Sequence, residues 1–342
     1  MEPNRVFAKV EIKGIAILGA GGWGTALAGL WAKAGREIVL WGHNPERIER
    51  LRKTRENSDY LPGYKLPESV RLTSDLRDCR DGALIVFVVP STAFRSIAEQ
   101  FRKVISGKDA VFLSGTKGIE HGTGMRMSEI LAEIFPKHRI AVLSGPNLAI
   151  EVARDLPTAT VLGCGDIECA VQLQAYLGSP RFRIYSSDQV VGIELGGALK
   201  NVFALAAGVS DGLGLGDNSK AALLTRCLAE LLRLGTAMGG DVRTFYGLSG
   251  VGDLIATCFS QHSRNRRVGE KLGRGESLGK ITAGMQMVAE GIPTTKSAYE
   301  CARRLKIETP ITDEVYEILY HGKAPAKALT DLLHREQKAE RV

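Results

Sequence analysis

Apolar runs and amphipathic stretches alternate along the first half of the chain, and the alternation breaks near residue 188. Strand-length apolar runs occupy 15–18, 38–41, 83–89, 110–113, 140–143, 159–163 and 182–185. Helix-period stretches lie between several of them, at 25–34, 93–104, 125–135 and 167–177. Strands alternating with helices of this length predict right-handed βαβ units and a mostly parallel sheet with helices on both faces. The run Leu84-Ile85-Val86-Phe87-Val88-Val89 is apolar at every position, as a central strand covered on both faces requires. Pro90 stops it.

After Tyr185 the pattern offers no convincing strand. Asp188 is placed to cap a long helix through Glu194, Lys200 and Leu205, rich in Ala, Leu and Gly. Helical patterning then recurs at 220–238, 251–258, 264–272, 295–305, 313–320 and 326–335. The prediction is an α/β unit over residues 1–190, joined by a helix rather than a flexible linker to an all-helical unit over 191–342. No internal repeat or low-complexity tract interrupts either.

The first apolar run, Gly14-Ile15-Ala16-Ile17-Leu18, breaks into Gly19, Gly21 and Gly24, which fit G-x-G-x-x-G. That turn needs freedom from Cβ clashes at Gly19, close backbone approach to a pyrophosphate at Gly21 and tight helix–strand packing at Gly24. The N–H groups of the following helix then face the phosphates, where the helix dipole favours negative charge. Among 39 glycines a bare match is weak. A strand before it and a helix after it, ended by Gly35, make it a dinucleotide signal and a Rossmann-like sheet the expected frame. Ligands of such sheets bind beyond the carboxyl ends of the strands, which puts 19–24, 89–92, 114–118 and 144–147 on one rim.

At 342 residues the chain exceeds the roughly 250–300 at which one core stops growing, in keeping with two domains. Hydrophobic residues make up 44% and charged residues 24%, an ordinary globular composition. Residues 1–13 are mixed polar and charged, so no signal peptide is expected. No run of about 18 apolar residues is evident, so no membrane span or stable insertion is expected either. Cys79, Cys164, Cys169, Cys227, Cys258 and Cys301 form no C-x-x-C pair and no Cys/His cluster, which predicts reduced thiols in a cytoplasm and no metal site. The net charge is +7. Lys and Arg are nevertheless scattered among acids, and the one dense cluster, Arg264, Arg266, Arg267, Lys271 and Arg274, lacks the aromatic residues of a base-stacking platform. A small anionic ligand accounts for it better than nucleic acid. The charged tail over 335–341 reads as a solvated helix end.

Several polar islands interrupt the apolar pattern. Lys117, in Ser114-Gly115-Thr116-Lys117-Gly118-Ile119, fits a rim lysine aimed at a ligand and equally a solvated loop lysine. Ser144-Gly145-Pro146-Asn147-Leu148-Ala149 is a second strand-end turn, able to present backbone and amide groups or simply to turn. Lys200 follows Gly196-Gly197-Ala198-Leu199 in an almost wholly apolar helix. Burial there lowers its pKa towards the range useful for proton transfer, whereas the competing reading is a lysine snorkelling outward. The small residues one turn earlier favour the functional reading. Asp253, in Gly250-Val251-Gly252-Asp253, suits a helix cap and a catalytic partner alike. Ser263-Arg264-Asn265-Arg266 gathers a hydroxyl, an amide, a guanidinium and free helix N–H groups, the makings of a phosphate site. Glu290, in Val288-Ala289-Glu290-Gly291, is ambiguous alone. None of the six histidines has a carboxylate and a nucleophile in its context.

Taken in this order and spacing, these segments resemble the NAD(P)-dependent glycerol-3-phosphate dehydrogenases of the bacterial type, over roughly residues 12–335. The resemblance also rests on Glu194-Leu195-Gly196-Gly197-Ala198-Leu199-Lys200-Asn201. It implies a Rossmann domain and a helical domain like the C-terminal part of 6-phosphogluconate dehydrogenases, with the substrate between them. It implies NADPH/NADP or NADH/NAD as cofactor, and a small phosphorylated triose, dihydroxyacetone phosphate, interconverted with sn-glycerol 3-phosphate for phospholipid synthesis. By position, Lys200 resembles the proton acceptor/donor for the C2 oxygen and Lys117 the lysine that polarises the carbonyl. Lys117, Gly145, Lys200, Asp253, Ser263, Arg264 and Asn265 match substrate-binding positions. Gly19, Gly21, Gly22, Trp23, Gly24, His43, Lys117, Ala149, Arg264, Val288 and Glu290 match cofactor-binding ones.

This chain departs from the family pattern in three places. Gly22 stands before Trp23 where Ser or another small residue is frequent, so contact there rests on backbone. Asn147-Leu148 replaces a Ser or Thr followed by Phe. The end of the second strand reads Trp41-Gly42-His43-Asn44, without the carboxylate that an NAD-specific site uses on the ribose 2′-OH. His43 or Arg47 is placed to meet a 2′-phosphate, so NADPH is expected to be accepted. The rival readings are a 3-hydroxyacid or 6-phosphogluconate-type dehydrogenase and a non-catalytic NAD(P)-sensing protein. A UDP-sugar dehydrogenase would need an activated cysteine, and Cys227 and Cys258 lack an activating neighbour. The apolar C-terminal helices suit a homodimer.

Overall fold

The apolar runs pair as one sheet. The computed structural model describes residues 14–107, 109–285, 287–336 and 339. The leader reading of 1–13 and part of the charged tail lie outside those residues. The strands are β1 (Ile15–Leu18), β2 (Ile38–Trp41), β3 (Arg71–Thr73), β4 (Leu84–Phe87), β5 (Val111–Ser114), β6 (Arg139–Ser144), β7 (Thr158–Cys164) and β8 (Phe182–Ser187). They stand in the order β3-β2-β1-β4-β5-β6-β7-β8. Every pairing is parallel except β6 with β7. The first six strands follow the doubly wound dinucleotide order, with its switch point between β1 and β4. Three-residue β3, at the edge, is too short to leave a pattern in the sequence.

Helices α1 (Gly22–Lys33), α2 (Pro45–Thr54), α3 (Phe94–Arg102), α4 (Met127–Ile134), α5 (Ala149–Ala153) and α6 (Ile167–Leu177) cover the sheet. Alternate side chains of a strand face opposite ways. Ile15, Ile17, Leu84 and Val86 therefore pack with Leu27, Trp31, Ile48 and Leu173, while Ile85 and Phe87 pack with Phe94, Phe101 and Ile130. At the β1–α1 turn Gly19 has φ +127°, and a Cβ at Gly24 would lie 1.9 Å from the Gly19 carbonyl oxygen. Nothing lies within 4 Å of where a Gly21 Cβ would be. No side chain caps α1 and no acid occupies its first turn, so its N–H groups remain open.

The second half holds α7 (Val190–Gly212), α8 (Gly216–Ala237), α9 (Val242–Phe245), α10 (Asp253–Phe259), α11 (Arg264–Gly273), α12 (Leu278–Ala283), α13 (Gly291–Leu305), α14 (Pro310–His321) and α15 (Pro325–Leu333). Helix α7 is buried without a break from Gly192 to Gly208, as a helix apolar all round must be. By length and composition it also passes for a membrane span, although Glu194, Lys200 and Asn201 interrupt its apolar run. Burial of 83% of its most apolar window makes it the core of the helical unit.

Asp188 does not cap this helix. The helix starts at Val190, whose N–H is taken by the Asp188 carbonyl, while the Asp188 carboxylate accepts from Gln189. The helix read over 251–258 is split into a π-turn, Leu248–Gly252, and α10. Helix α13 begins four residues before the predicted 295, because Pro293 falls in its first turn, where a missing N–H costs nothing. The tail is no helix end at 335, since α15 stops at Leu333.

Candidate active site

Two parallel strands, β5 and β6, end at turns that deliver Lys117 and Gly145 to the same rim as the glycine turn. Facing them, α7 presents Lys200 and Asn201, and the π-turn presents Asp253 at the first position of α10. The Lys117 Nζ donates to the Gly145 carbonyl at 2.8 Å and to Asp253 Oδ2 at 2.7 Å. The Lys200 Nζ donates to Asp253 Oδ1 at 2.6 Å and to the Thr257 hydroxyl. One carboxylate thus bridges two ammonium groups drawn from different halves of the chain. Asp253 does not use its side chain as a cap; the preceding residue, Gly252, takes that position.

Glycines make this approach feasible. A Cβ at Gly197 would fall 2.3 Å from the Ser144 Oγ, and one at Gly196 would fall 2.5 Å from the Ser249 carbonyl. Lys200 does not snorkel: it is 6% exposed, and Asp253 1%. Burial pulls the Lys200 pKa down to about 8, with the Lys117 charge adding to the fall and Asp253 opposing it. A lysine so placed changes protonation near neutral pH.

A second set of contacts surrounds this centre. Asn201 donates to the Lys117 carbonyl at 3.3 Å and accepts from Asn265 at 2.9 Å. Asn265 in turn accepts from the Gly291 N–H at 2.9 Å. Ser263 caps α11 by accepting from the Arg266 N–H, and Arg264 reaches the Val288 carbonyl at 3.0 Å. Glu290 accepts from the Ser91 N–H at 3.0 Å and from its hydroxyl, tying the β4 rim to the start of α13. Burial raises the Glu290 pKa against these donors. Trp23 lies beside Gly115, and Gly22 packs near the Tyr60 backbone and Ala149.

Contacts thus link Lys117, Gly145, Lys200, Asp253 and, through Asn201, Asn265, while three groups are used otherwise than expected. Arg266, expected at the phosphate point, bonds Asp211 instead, at 2.6 Å. Asn147 spends its amide on the β7 backbone at Ala159 and on Thr160. Arg47 turns to the Tyr60 hydroxyl and Asp59, leaving exposed His43 as the free group at the end of β2. The sequence reading missed Thr257, Asn201 and Ser91. Thr257 sits four residues after Asp253, one helical turn on, a spacing that would have pointed to it. Burial pushes the Cys258 thiol up to about 12 and Cys227 well upward, so neither is a thiolate nucleophile. All six cysteines are free and buried. Among the described residues no group of His, Cys, Asp and Glu could hold a metal ion.

A dinucleotide turn on a Rossmann-like sheet, with two lysines bridged by one carboxylate at the edge of a helical part, is the arrangement of a dinucleotide-dependent dehydrogenase. Comparison with known proteins narrows the class. Residues 14–170 match the family of NAD-dependent glycerol-3-phosphate dehydrogenase N-terminal domains, and residues 189–330 match the corresponding C-terminal family. A glycerol-3-phosphate dehydrogenase (NAD(P)+) of Syntrophotalea carbinolica is 48% identical over 95% of this chain and 99% of its own. One from Bacillus cytotoxicus is 46% identical over 95% and 96%. The crystal structure of glycerol-3-phosphate dehydrogenase from Coxiella burnetii superposes with a TM-score of 0.91 at 39% identity, covering 95% of this chain and 99% of that one. The chain belongs to the NAD-dependent glycerol-3-phosphate dehydrogenase family and is an NAD(P)-dependent oxidoreductase.

Proposed function

We propose that this chain reduces dihydroxyacetone phosphate to sn-glycerol 3-phosphate, reversibly, with Lys200 as the proton donor and Lys117 as the group that polarises the carbonyl. The observation that carries the assignment is the Lys117–Asp253–Lys200 bridge, which holds two ammonium groups at one point beside the glycine rim. The open N–H groups of α1 and the empty space over Gly21 suit a pyrophosphate, with Gly19, Gly21, Gly22, Trp23, Gly24 and Ala149 around it. Bound reduced nicotinamide supplies the hydride that C2 receives. As C2 is reduced, negative charge grows on its oxygen, where Lys117 stabilises it and Lys200 delivers a proton. Lys200 then regains a proton from solvent. Asp253 and Thr257 hold the Lys200 ammonium in place, and the low pKa eases its release.

Arg264, Asn265 and Ser263 hold the phosphate end at the start of α11, with Gly145 beside Lys117. Val288, Glu290 and Arg264 would hold the cofactor from the helical side, and His43 would meet its adenosine end. We assign residues 1–190 to cofactor binding and 191–342 to substrate binding, in keeping with the last strand ending at Ser187 and α7 starting at Val190. The product feeds phospholipid synthesis in the cytoplasm. Exposed Ile255 and Phe259 on α10 support a homodimer through the helical unit. The test is NADPH oxidation followed by absorbance, with dihydroxyacetone phosphate against a 3-oxo acid. Turnover with the phosphate alone is expected; preference for the oxo acid would overturn the substrate assignment.

A further inference from the structure

Helices α7 and α11 run parallel at backbone contact. Asn201 bonds Asn265, the Leu205 carbonyl meets Gly269 and the Val209 carbonyl meets Gly273, a constant offset along both helices. A Cβ at Gly269 would lie 2.0 Å from the Leu205 oxygen, and one at Gly208 2.0 Å from the Arg266 oxygen. Such smooth faces fix how near the helices come but put few side-chain ridges in the way of sliding. A chemical pin stands at the end of the contact. Asp211 Oδ2 accepts from Arg266 Nε at 2.6 Å, and both carboxylate oxygens accept from Lys220 Nζ at 2.9 Å. Glu270, 3.7 Å from Arg266 and also paired with Arg274, adds a second carboxylate. The side chains of Asp211, Lys220, Arg266 and Glu270 are largely shielded from water.

We infer that Asp211, Lys220 and Arg266 are positioning residues for the phosphate end of the substrate. They set the register of α11 on α7, and with it the direction of Arg264 and Asn265. Arg264 is exposed and, among the described residues, bonds the Val288 carbonyl alone, so its placement is inherited from its neighbours Ser263, Asn265 and Arg266. Asp211 stands eleven residues beyond Lys200 on α7, about 16 Å along the axis, too far to act on the proton. Arg266 stands two residues from Arg264. The inference rests on the phosphate role proposed above for Arg264 and Asn265.

The test compares dihydroxyacetone phosphate with phosphate-free dihydroxyacetone, both reduced with NADPH. Asp211→Asn keeps the shape and removes the charge. Displacing a binding group by about 1 Å costs on the order of 100-fold. Asp211→Asn is therefore expected to lower kcat/KM for the phosphorylated substrate by about 10- to 100-fold, mainly through KM, and to leave that for dihydroxyacetone unchanged. Arg266→Lys, which keeps the charge, is expected to lose less than Arg266→Gln. An equal loss on both substrates, or no loss on either, overturns the pin. Arg264→Ala separates the two claims: if it also treats both substrates alike, the phosphate assignment itself falls. Should Asp211→Asn fail to fold, Lys220→Gln carries the same comparison.

Discussion

The turn after β1 offers backbone N–H groups, whereas α7 and α10 offer charged side chains. The glycine turn presents unpaired N–H groups and no titratable atom, and its geometry is held by contacts as close as that of Gly24 with the Gly19 carbonyl. The lysine centre is the reverse: its geometry depends on ion pairs, and its state on protons. A site made of backbone tolerates changes of pH but not an added carbon. A site made of buried charges is sensitive to the loss of any one partner. The two halves should therefore fail in different ways.

The largest effect is expected at Lys200. Its replacement by Ala removes a positioned acid, worth about 100- to 10,000-fold in kcat, while NADPH affinity stays within a few-fold because the glycine turn is untouched. Stopped-flow turnover and fluorescence titration of NADPH measure the two separately. A variant that keeps most of its kcat would sink the proton-transfer role, and one that loses cofactor binding would erase the contrast between the halves. The pH dependence follows with a defined sign. Reduction requires protonated Lys200, so kcat should fall as pH rises through about 8; oxidation requires the neutral amine, so kcat should rise through the same value. Parallel rather than opposed profiles would exclude Lys200 as the titrating group. Because its folded pKa lies below the ordinary 10.5, the folded state binds fewer protons than the unfolded one between about 8 and 10.5. The Lys200 contribution to stability therefore rises with pH across that window.

The cofactor half was legible in the chain because its information is local. Gly19, Gly21 and Gly24 lie within six residues, and the strand and helix around them follow from apolar period alone. Lys117, Lys200 and Asp253 were each visible as polar islands, but their convergence on one carboxylate is a long-range fact, set by where β5 and α10 meet α7. Ser91 and Asn201 lay inside segments the sequence marked, the 89–92 rim and the Glu194–Asn201 run, but an isolated Ser or Asn is common at turns and helix ends, so neither stood out. The cap read at Asp188 failed for a related reason. Local propensity favours Asp there, but the chain leaving β8 brings its carbonyl, not its carboxylate, to the first free N–H. The π-turn before Asp253 was hidden as well. It depends on packing, since a Cβ at Gly250 would lie 1.9 Å from the Phe245 carbonyl.

The glycine turn offers a sharper contrast within itself. Gly24→Ala would place its Cβ against the Gly19 oxygen, so the helix must shift. Overpacking of this kind costs about 1–3 kcal/mol, which should lower Tm and weaken NADPH binding together. Gly21→Ala faces open space and should leave Tm unchanged while still weakening NADPH, because the added methyl occupies room reserved for the pyrophosphate. Calorimetry and fluorescence titration give both quantities. If Gly21→Ala binds NADPH as tightly as the parent, the pyrophosphate does not lie over this turn.

The smallest effect, and the finest distinction, concerns which dinucleotide the backbone half selects. A carboxylate at the end of the second strand favours NAD by holding the ribose 2′-OH and repelling a 2′-phosphate. Here that position carries His43 and Asn44. The Asn44 oxygen is occupied in capping α2 through the Arg47 N–H at 2.9 Å, and the Arg47 side chain is drawn to Tyr60 and Asp59. His43 alone is left facing solvent with its ring free to meet an anion. A hydrogen bond to a charged group is worth about 1.5–3 kcal/mol when shielded and less when exposed. His43→Ala should therefore raise KM for NADPH by about 3- to 10-fold and leave that for NADH unchanged, with kcat the same for both. Equal changes for the two cofactors would mean that His43 packs against the adenosine without reading its phosphate. A parent enzyme that strongly prefers NADH would show that a missing carboxylate is not enough to admit the 2′-phosphate.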